Sequence, residues 1–184
     1  MKSGGILSII LGIDPGSHIT GFGVLRTQNS QKQRGSFNVE HVSHGVIMLP
    51  KNADLATRLA ELSLGMEQIL KKYKPQHVVI EKIFLGRNPD SAFKLGHARG
   101  VIMSLAARDG ATVHEYATRV VKKGIAGNGS ADKLQVQLMV QRILKLPKIE
   151  KIDASDALAL ALYYAQCVNV NESWDRIKSR EVTL

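Results

Sequence analysis

Cysteine occurs once in the 184 residues, at Cys167, so no disulfide can close within the chain and no cysteine-based zinc site can be built. A lone cysteine among apolar neighbours reads as a buried side chain, and a chain without disulfides suits a reducing, cytoplasmic compartment. Long apolar runs are missing too: no segment approaches the roughly 18 residues that a membrane-spanning helix requires. The run Gly4-Gly5-Ile6-Leu7-Ser8-Ile9-Ile10-Leu11 behind Lys2 resembles the opening of a secretory signal. No small-residue cleavage site follows it, however, and it ends in Ile13-Asp14-Pro15-Gly16, the pattern of a buried strand entering a turn. Acids are in deficit, with 16 Asp and Glu against 25 Lys and Arg, a formal net charge of +9. Such an excess of base points to a polyanionic partner, nucleic acid ahead of an acidic lipid surface. There is no internal repeat and no low-complexity block. With 44% hydrophobic residues, the length fits one compact domain with its own core and leaves no room for two full catalytic domains.

The elements that are present fall in a definite order. Residues 8–13 form a short, Ile-rich run suited to a central strand buried on both faces. Residues 20–26 and 36–49 read as further strands, linked by Gly-containing turns and a polar loop over 28–35, so three hairpin-connected strands open the domain. A helix is predicted from Asp54, with Leu55, Leu59, Leu62, Met66, Ile69 and Leu70 at three- and four-residue steps until Lys74-Pro75 stops it. A buried strand follows over 77–81. Asn88-Pro89-Asp90 starts another helix, Asp109-Gly110 ends it, and 112–116 makes a fifth strand. The last third reads as helical, with Ser130 as N-cap for 131–146 and a closing helix from about Asp153 to Cys167. Beyond Asn169 the chain turns polar, its Arg176, Lys178 and Arg180 balanced by Glu172, Asp175 and Glu181. The expectation is a domain over 1–168 and a disordered tail over 169–184.

Four carboxylates fall where elements begin or end. Asp14 closes the first strand and Glu81 the fourth; if those strands pair, both acids leave the sheet at one edge. Asp153 and Asp156 are three apart at a helix start, so their side chains share a face. Four carboxylates converging on one point repel each other unless cations lie between them. Oxygen-only ligands select a hard cation, Mg²⁺ or Mn²⁺, and no His or Cys stands at ligand spacing to these acids. Two such ions about 4 Å apart activate a water and stabilise a leaving oxygen, which makes phosphodiester hydrolysis the expected chemistry. Singly, each acid has a plainer explanation as a turn residue, a strand-end charge or a helix cap. Their joint placement favours the site.

Base is concentrated in residues 118–151, where Arg119, Lys122, Lys123, Lys133, Arg142, Lys145, Lys148 and Lys151 face only Asp132 and Glu150, a net of 8 − 2 = +6. Gly124, Gly127 and Gly129 make part of this stretch a candidate phosphate-approaching loop, with a solvated helix face as the alternative. Phe84, beside Gly86-Arg87, reads either as an exposed ring able to stack on an unpaired base, with Arg87 as a neighbouring DNA contact, or as a core residue.

The run Gly12-Ile13-Asp14-Pro15-Gly16-Ser17 followed by Thr20-Gly21-Phe22-Gly23-Val24 resembles the opening of the RuvC family of Holliday-junction resolvases. Val79-Ile80-Glu81-Lys82-Ile83-Phe84, the segment from Asn88 to Gly96, Ala98-Arg99-Gly100-Val101, the segment from Gly127 to Lys133 and Asp153-Ala154-Ser155-Asp156-Ala157-Leu158-Ala159 resemble the same family in order and spacing. The match covers about residues 8–168. The resemblance implies an α/β, RNase H-like fold with a mixed five-stranded sheet, its first three strands antiparallel, flanked by helices. It implies an Mg²⁺-dependent endonuclease, with two ions per subunit and Mn²⁺ able to substitute, that places paired symmetric nicks across a four-way DNA junction as a homodimer, working with the RuvA–RuvB branch-migration complex. By motif position Asp14, Glu81, Asp153 and Asp156 match the family's metal-binding acids. Lys122 and Lys133 match its lysines near the scissile phosphate, and Phe84 its junction-stacking aromatic. Arg87, Arg119 and Lys123 are further DNA-contact candidates, and the helix over 89–107 is a candidate dimer face through Phe93, Leu95, Val101 and Leu105.

Three other readings stand beside this one. Another RNase H-like nuclease, acting on RNA–DNA hybrids, would share fold and metal site. A phosphate-binding ATPase of the actin and sugar-kinase type shares the Asp-x-Gly-Ser loop but needs a second such loop and a second domain. An inert DNA-binding module would keep the acids for structure alone.

Overall fold

The computed structural model describes residues 7–28, 39–82 and 89–181. Its elements are β1 (Leu7–Asp14), β2 (Ile19–Gln28), β3 (Val39–Met48), α1 (Leu55–Tyr73), β4 (His77–Glu81), α2 (Pro89–Arg108), β5 (Thr112–Tyr116), α3 (Thr118–Ala126), α4 (Lys133–Leu144) and α5 (Ile152–Glu181). The sheet order is β3-β2-β1-β4-β5, antiparallel across the two hairpins and parallel from β1 to β4 and from β4 to β5. This is the mixed five-stranded sheet expected from the sequence. No helix among the described residues is long and apolar enough to cross a membrane.

Strand alternation splits the core into two layers. Leu11, Ile13, Val24, Val78 and Ile80 point to one face and pack with Leu62, Met66 and Leu70 of α1 and Ile102 and Leu105 of α2. Ile10, Leu25 and Val79 point to the other and pack under α3, α4 and α5, among them Val121, Val140, Leu158 and Leu162. Because the apolar residues of β1 and β4 face both layers, these two central strands are the near-continuous hydrophobic runs that a doubly covered sheet demands.

α5 lies close against the hairpin of β1 and β2. A Cβ added at Gly12 would overlap the carbonyl oxygen of Ala157, and one at Gly21 the carbonyl oxygen of Asp153. Backbone therefore rests on backbone here, and glycine is what lets the first turn of α5 reach the end of β1.

Local chemistry sets the helix ends. Asp54 accepts a bond from the N–H of Thr57 at 2.7 Å to cap α1. Lys74 adopts the left-handed conformation at its far end, φ 46°, just before Pro75, which cannot continue a helix.

The last third departs from expectation at three points. Asp132, not Ser130, caps α4: it accepts from the N–H of Gln135 at 2.8 Å while the Gln135 side chain returns a bond to the Asp132 N–H, a reciprocal capping box. Ser130 instead bonds Asn128 through both its N–H and its hydroxyl. Residues 118–126 form a helix, α3, where a glycine-bearing loop was one expectation; Gly124 sits against the ring of Tyr163, so its missing side chain brings α3 onto α5, and Gly127 (φ 76°) closes the helix. α5 runs to Glu181, past the Cys167 end expected from the apolar pattern and through most of the polar segment expected to be disordered.

Candidate active site

Asp14 and Glu81 meet because of register. Ile13 pairs with Ile80 across the parallel β1–β4 ladder, and the two acids are the next residue on each strand. Both fall on the α5 face by alternation, the face that carries Gly12 and Val79. On the other side of Asp14 its antiparallel partner is Gly21, over which the Asp153 backbone lies. Asp156 follows one turn later on α5. The sheet edge expected from the sequence thus brings Asp14, Glu81, Asp153 and Asp156 to one place.

The electrostatics confirm a shared space. Burial, then the negative charges of Glu81 and Asp156, push the Asp14 carboxyl up to about 8 from its usual 3.8. Asp156 is raised as well, chiefly by burial, with Lys133 opposing the rise. Lys133 donates to Asp156 Oδ2 at 2.8 Å, and this bond raises the lysine's own pKa and keeps it charged. One ammonium does not neutralise four acids. An oxygen-only cluster short of positive charge fits a hard divalent cation, which Asp14, Glu81, Asp153 and Asp156 could hold. Among the described residues no three His, Cys, Asp or Glu side chains stand at ligand spacing.

Two further contacts frame the site. Thr118, two residues beyond Tyr116, which pairs with Glu81, donates its hydroxyl to Glu81 Oε1. Sequence reading missed Thr118; the parallel register of β4 and β5 is the signal that finds it. Lys122 donates to the carbonyl oxygen of Ala131 at 2.8 Å, tying α3 to the segment that leads into Lys133. Arg119 and Lys123 are exposed on α3, whose apolar side is carried by Val121 and Ile125. Phe84 and Arg87, together with the Asn88 cap, lie outside the described residues. Of the dimer-face candidates, Leu105 is buried in the chain's own core and Val101 packs against it, because α2 turns that side to the sheet. Leu95 is half-buried. Phe93 is the one that stands out, 64% exposed.

A family model described as crossover junction endodeoxyribonuclease RuvC matches residues 10–164. The chain belongs to the RuvC family. Its reaction is the endonucleolytic cutting of DNA at crossover junctions. RuvC of Bdellovibrio bacteriovorus is 55% identical over 157 residues, covering 85% of this chain and 89% of that one. RuvC of Pseudoalteromonas atlantica is 45% identical over 159 residues, 86% of this chain and 87% of the relative. Among solved structures, Thermus thermophilus RuvC in complex with a Holliday junction substrate superposes with a TM-score of 0.79 at 28% identity, covering 89% of this chain and 96% of that one. The RuvC match takes in all four acids and both Lys122 and Lys133, and it ends at Tyr164, inside α5.

Proposed function

We propose that this chain resolves four-way (Holliday) DNA junctions by paired symmetric nicks, with Asp14, Glu81, Asp153 and Asp156 as its metal ligands. The observation that carries this reading is the joint register of Ile13 with Ile80 and of Asp14 with Gly21, which sets acids from two strands and one helix around a single point. Two Mg²⁺ ions per subunit, or Mn²⁺ in their place, would be held by these four acids and would supply positive charge to the scissile phosphate and a more acidic water. Lys133, held at Asp156, keeps a positive charge beside the developing negative one. Lys122 holds the chain before α4 in place and, with Arg119 and Lys123, gives α3 the positive face that receives the phosphate backbone. Phe84 and Arg87 follow Glu81 closely in the chain and are proposed to meet unpaired bases and backbone at the junction centre.

A four-way junction has two-fold symmetry, so two copies of the chain address both strands at once. The homodimer is proposed to use the outer side of α2 at Phe93, where Gly96 and Gly100 leave open space above the backbone. Work beside the RuvA–RuvB branch-migration complex in the bacterial cytoplasm, and a division into a nuclease domain over 1–168 and a separate tail over 169–184, belong to the same proposal.

The test uses a synthetic four-way junction, a linear duplex of the same sequence and an RNA–DNA hybrid, each with and without Mg²⁺. Paired nicks confined to the junction support the reading. Cutting of the hybrid alone keeps the metal site and removes the resolvase.

A further inference from the structure

Glu81 ends β4, and its register partner Tyr116 ends β5. The Lys82 N–H donates to the Tyr116 carbonyl at 2.8 Å, so the two chains stay side by side for one residue more. Two residues past Tyr116 the chain enters α3, whose first residue, Thr118, donates its hydroxyl to Glu81 Oε1. The place of that hydroxyl is set by the sheet on one side and by the helix on the other. α3 is itself held firmly: Val121 and Ile125 are buried in the core on the α5 side, and Gly124 lies against the ring of Tyr163. A donor carried on such a scaffold is in position before any ligand arrives.

The contact has a plain reading as a staple for the helix. Ala117, the N-cap of α3, makes no side-chain capping bond, and a carboxylate near a helix N-terminus is favourable. Three observations carry it further. Glu81 is half-buried at the end of its strand, and its side chain is longer than those of Asp14, Asp153 and Asp156, so ordering it costs the most rotamer freedom. The donor is also neutral. Asp156 receives its bond from the ammonium of Lys133 at 2.8 Å, a charge that opposes a cation, whereas a hydroxyl orients Glu81, leaves its negative charge whole and leaves the lone pairs of Oε2 free. Finally, the carboxylate that Thr118 holds belongs to the cluster itself, since Glu81 acts on Asp14 both by charge and through a hydrogen bond.

We infer that Thr118 is a positioning residue of the nuclease, holding Glu81 Oε1 so that Oε2 is presented to the metal. The inference deepens the site proposed above and rests on Glu81 as a metal ligand. Groups that orient a metal ligand from behind commonly change metal affinity by about tenfold or more. α3 also carries Lys122, which donates to the Ala131 carbonyl just ahead of Lys133. One short helix therefore steadies both the acid at the end of β4 and the lysine that meets Asp156.

The experiment titrates the full chain with Mn²⁺ alone and counts the free ion by its paramagnetic resonance, for the wild type, Thr118→Val, Thr118→Ser and Glu81→Gln. Valine keeps the outline of threonine without the hydroxyl; serine keeps the hydroxyl. Cutting of a four-way junction is followed in parallel over a range of Mg²⁺, and thermal midpoints are taken in chelator. The inference predicts that Thr118→Val raises the Mn²⁺ dissociation constant, and the Mg²⁺ needed for half-maximal cutting, by about tenfold each. Excess Mg²⁺ brings its cutting rate back toward the wild type, which a misfolded fraction would not allow, and Thr118→Ser stays near the wild type throughout. Wild-type Mn²⁺ affinity in Thr118→Val, or an equal loss in Thr118→Ser, overturns the inference. So does a loss confined to the thermal midpoint in chelator, which leaves Thr118 as a staple for α3. If Glu81→Gln loses affinity while Thr118→Val keeps it, the inference alone fails and the site stands. If Glu81→Gln binds Mn²⁺ as the wild type does, or the wild type takes up none, the reading of the site fails and the inference with it.

Discussion

Lys133 Nζ lies 2.8 Å from Asp156 Oδ2, which joins the first residue of α4 to the first turns of α5 across the acidic site. The pair sets the charge balance of the whole cluster. Asp156 is pushed up by burial and held down by this lysine, and the same lysine also opposes the rise at Asp14.

Lys133→Ala removes that counter-charge. Cutting is expected to fall by about a hundredfold, the scale of losing one preorganised electrostatic contact to a transition state. Affinity for the junction, carried by many bases, falls far less. Single-turnover cleavage beside an equilibrium binding assay separates the two, and an equal loss in both would reassign Lys133 to plain DNA contact.

Asp14→Asn relieves repulsion among the acids. In the metal-free protein at pH 8 the variant is expected to melt several degrees higher than the wild type, because the buried carboxylate it replaces favours its neutral form up to about 8. Added Mg²⁺ is expected to raise the melting point of the wild type more than that of the variant. Scanning calorimetry with and without the metal checks both, and a lower midpoint for the variant in chelator would mean that Asp14 is structural.

Gly12→Ala tests the close approach of α5. Its new Cβ meets the Ala157 carbonyl, backbone that cannot swing aside, so a loss of about 3 kcal/mol in stability is expected. Activity falls with it, since α5 carries Asp153 and Asp156. Chemical denaturation of the variant measures the first effect; a stability within experimental error of the wild type would show that α5 has room to move.

His77 and His114 predict an acid limit to stability. Their rings lie 5.4 Å apart, each also beside Tyr164 of α5, and His114 Nε2 stands 3.3 Å from His77 Nδ1. Burial lowers both pKa values below the usual 6.5, and His77 adds its charge against protonation of His114. The folded chain favours the neutral rings, so this contribution is whole above about pH 6.5 and is lost as the pH falls below it. The half-buried pair His41 and His44, lowered for the same reason, acts in the same direction. Unfolding midpoints from pH 5 to 8 are expected to drop less steeply for His114→Gln than for the wild type; parallel curves would contradict this.

How much of this the sequence carried depends on whether the cause was local. The succession of strands along the chain was legible, and so was the Asp14–Glu81 meeting, on the condition that the first and fourth strands pair, because both acids end apolar runs. Asp153 and Asp156 were legible from helical spacing. α3 was not, because Gly124 reads as a breaker until Tyr163 of α5 is seen to occupy the space of its side chain. From sequence Leu105 and Val101 read as an outer face because α2 is apolar on much of its surface, and only the packed sheet shows which side is covered. Thr118 depends on register across two parallel strands, which leaves no spacing in the sequence.

The most direct test of the account is cleavage of one four-way junction by the wild type and by Asp14→Asn, side by side at saturating protein, with and without Mg²⁺. The account predicts symmetric paired nicks from the wild type in Mg²⁺ only, and a variant that shifts the junction fully in a binding gel yet cuts neither strand. A variant that still cuts with Mg²⁺ would contradict the assignment of Asp14, and with it the acidic cluster, as the centre of the reaction.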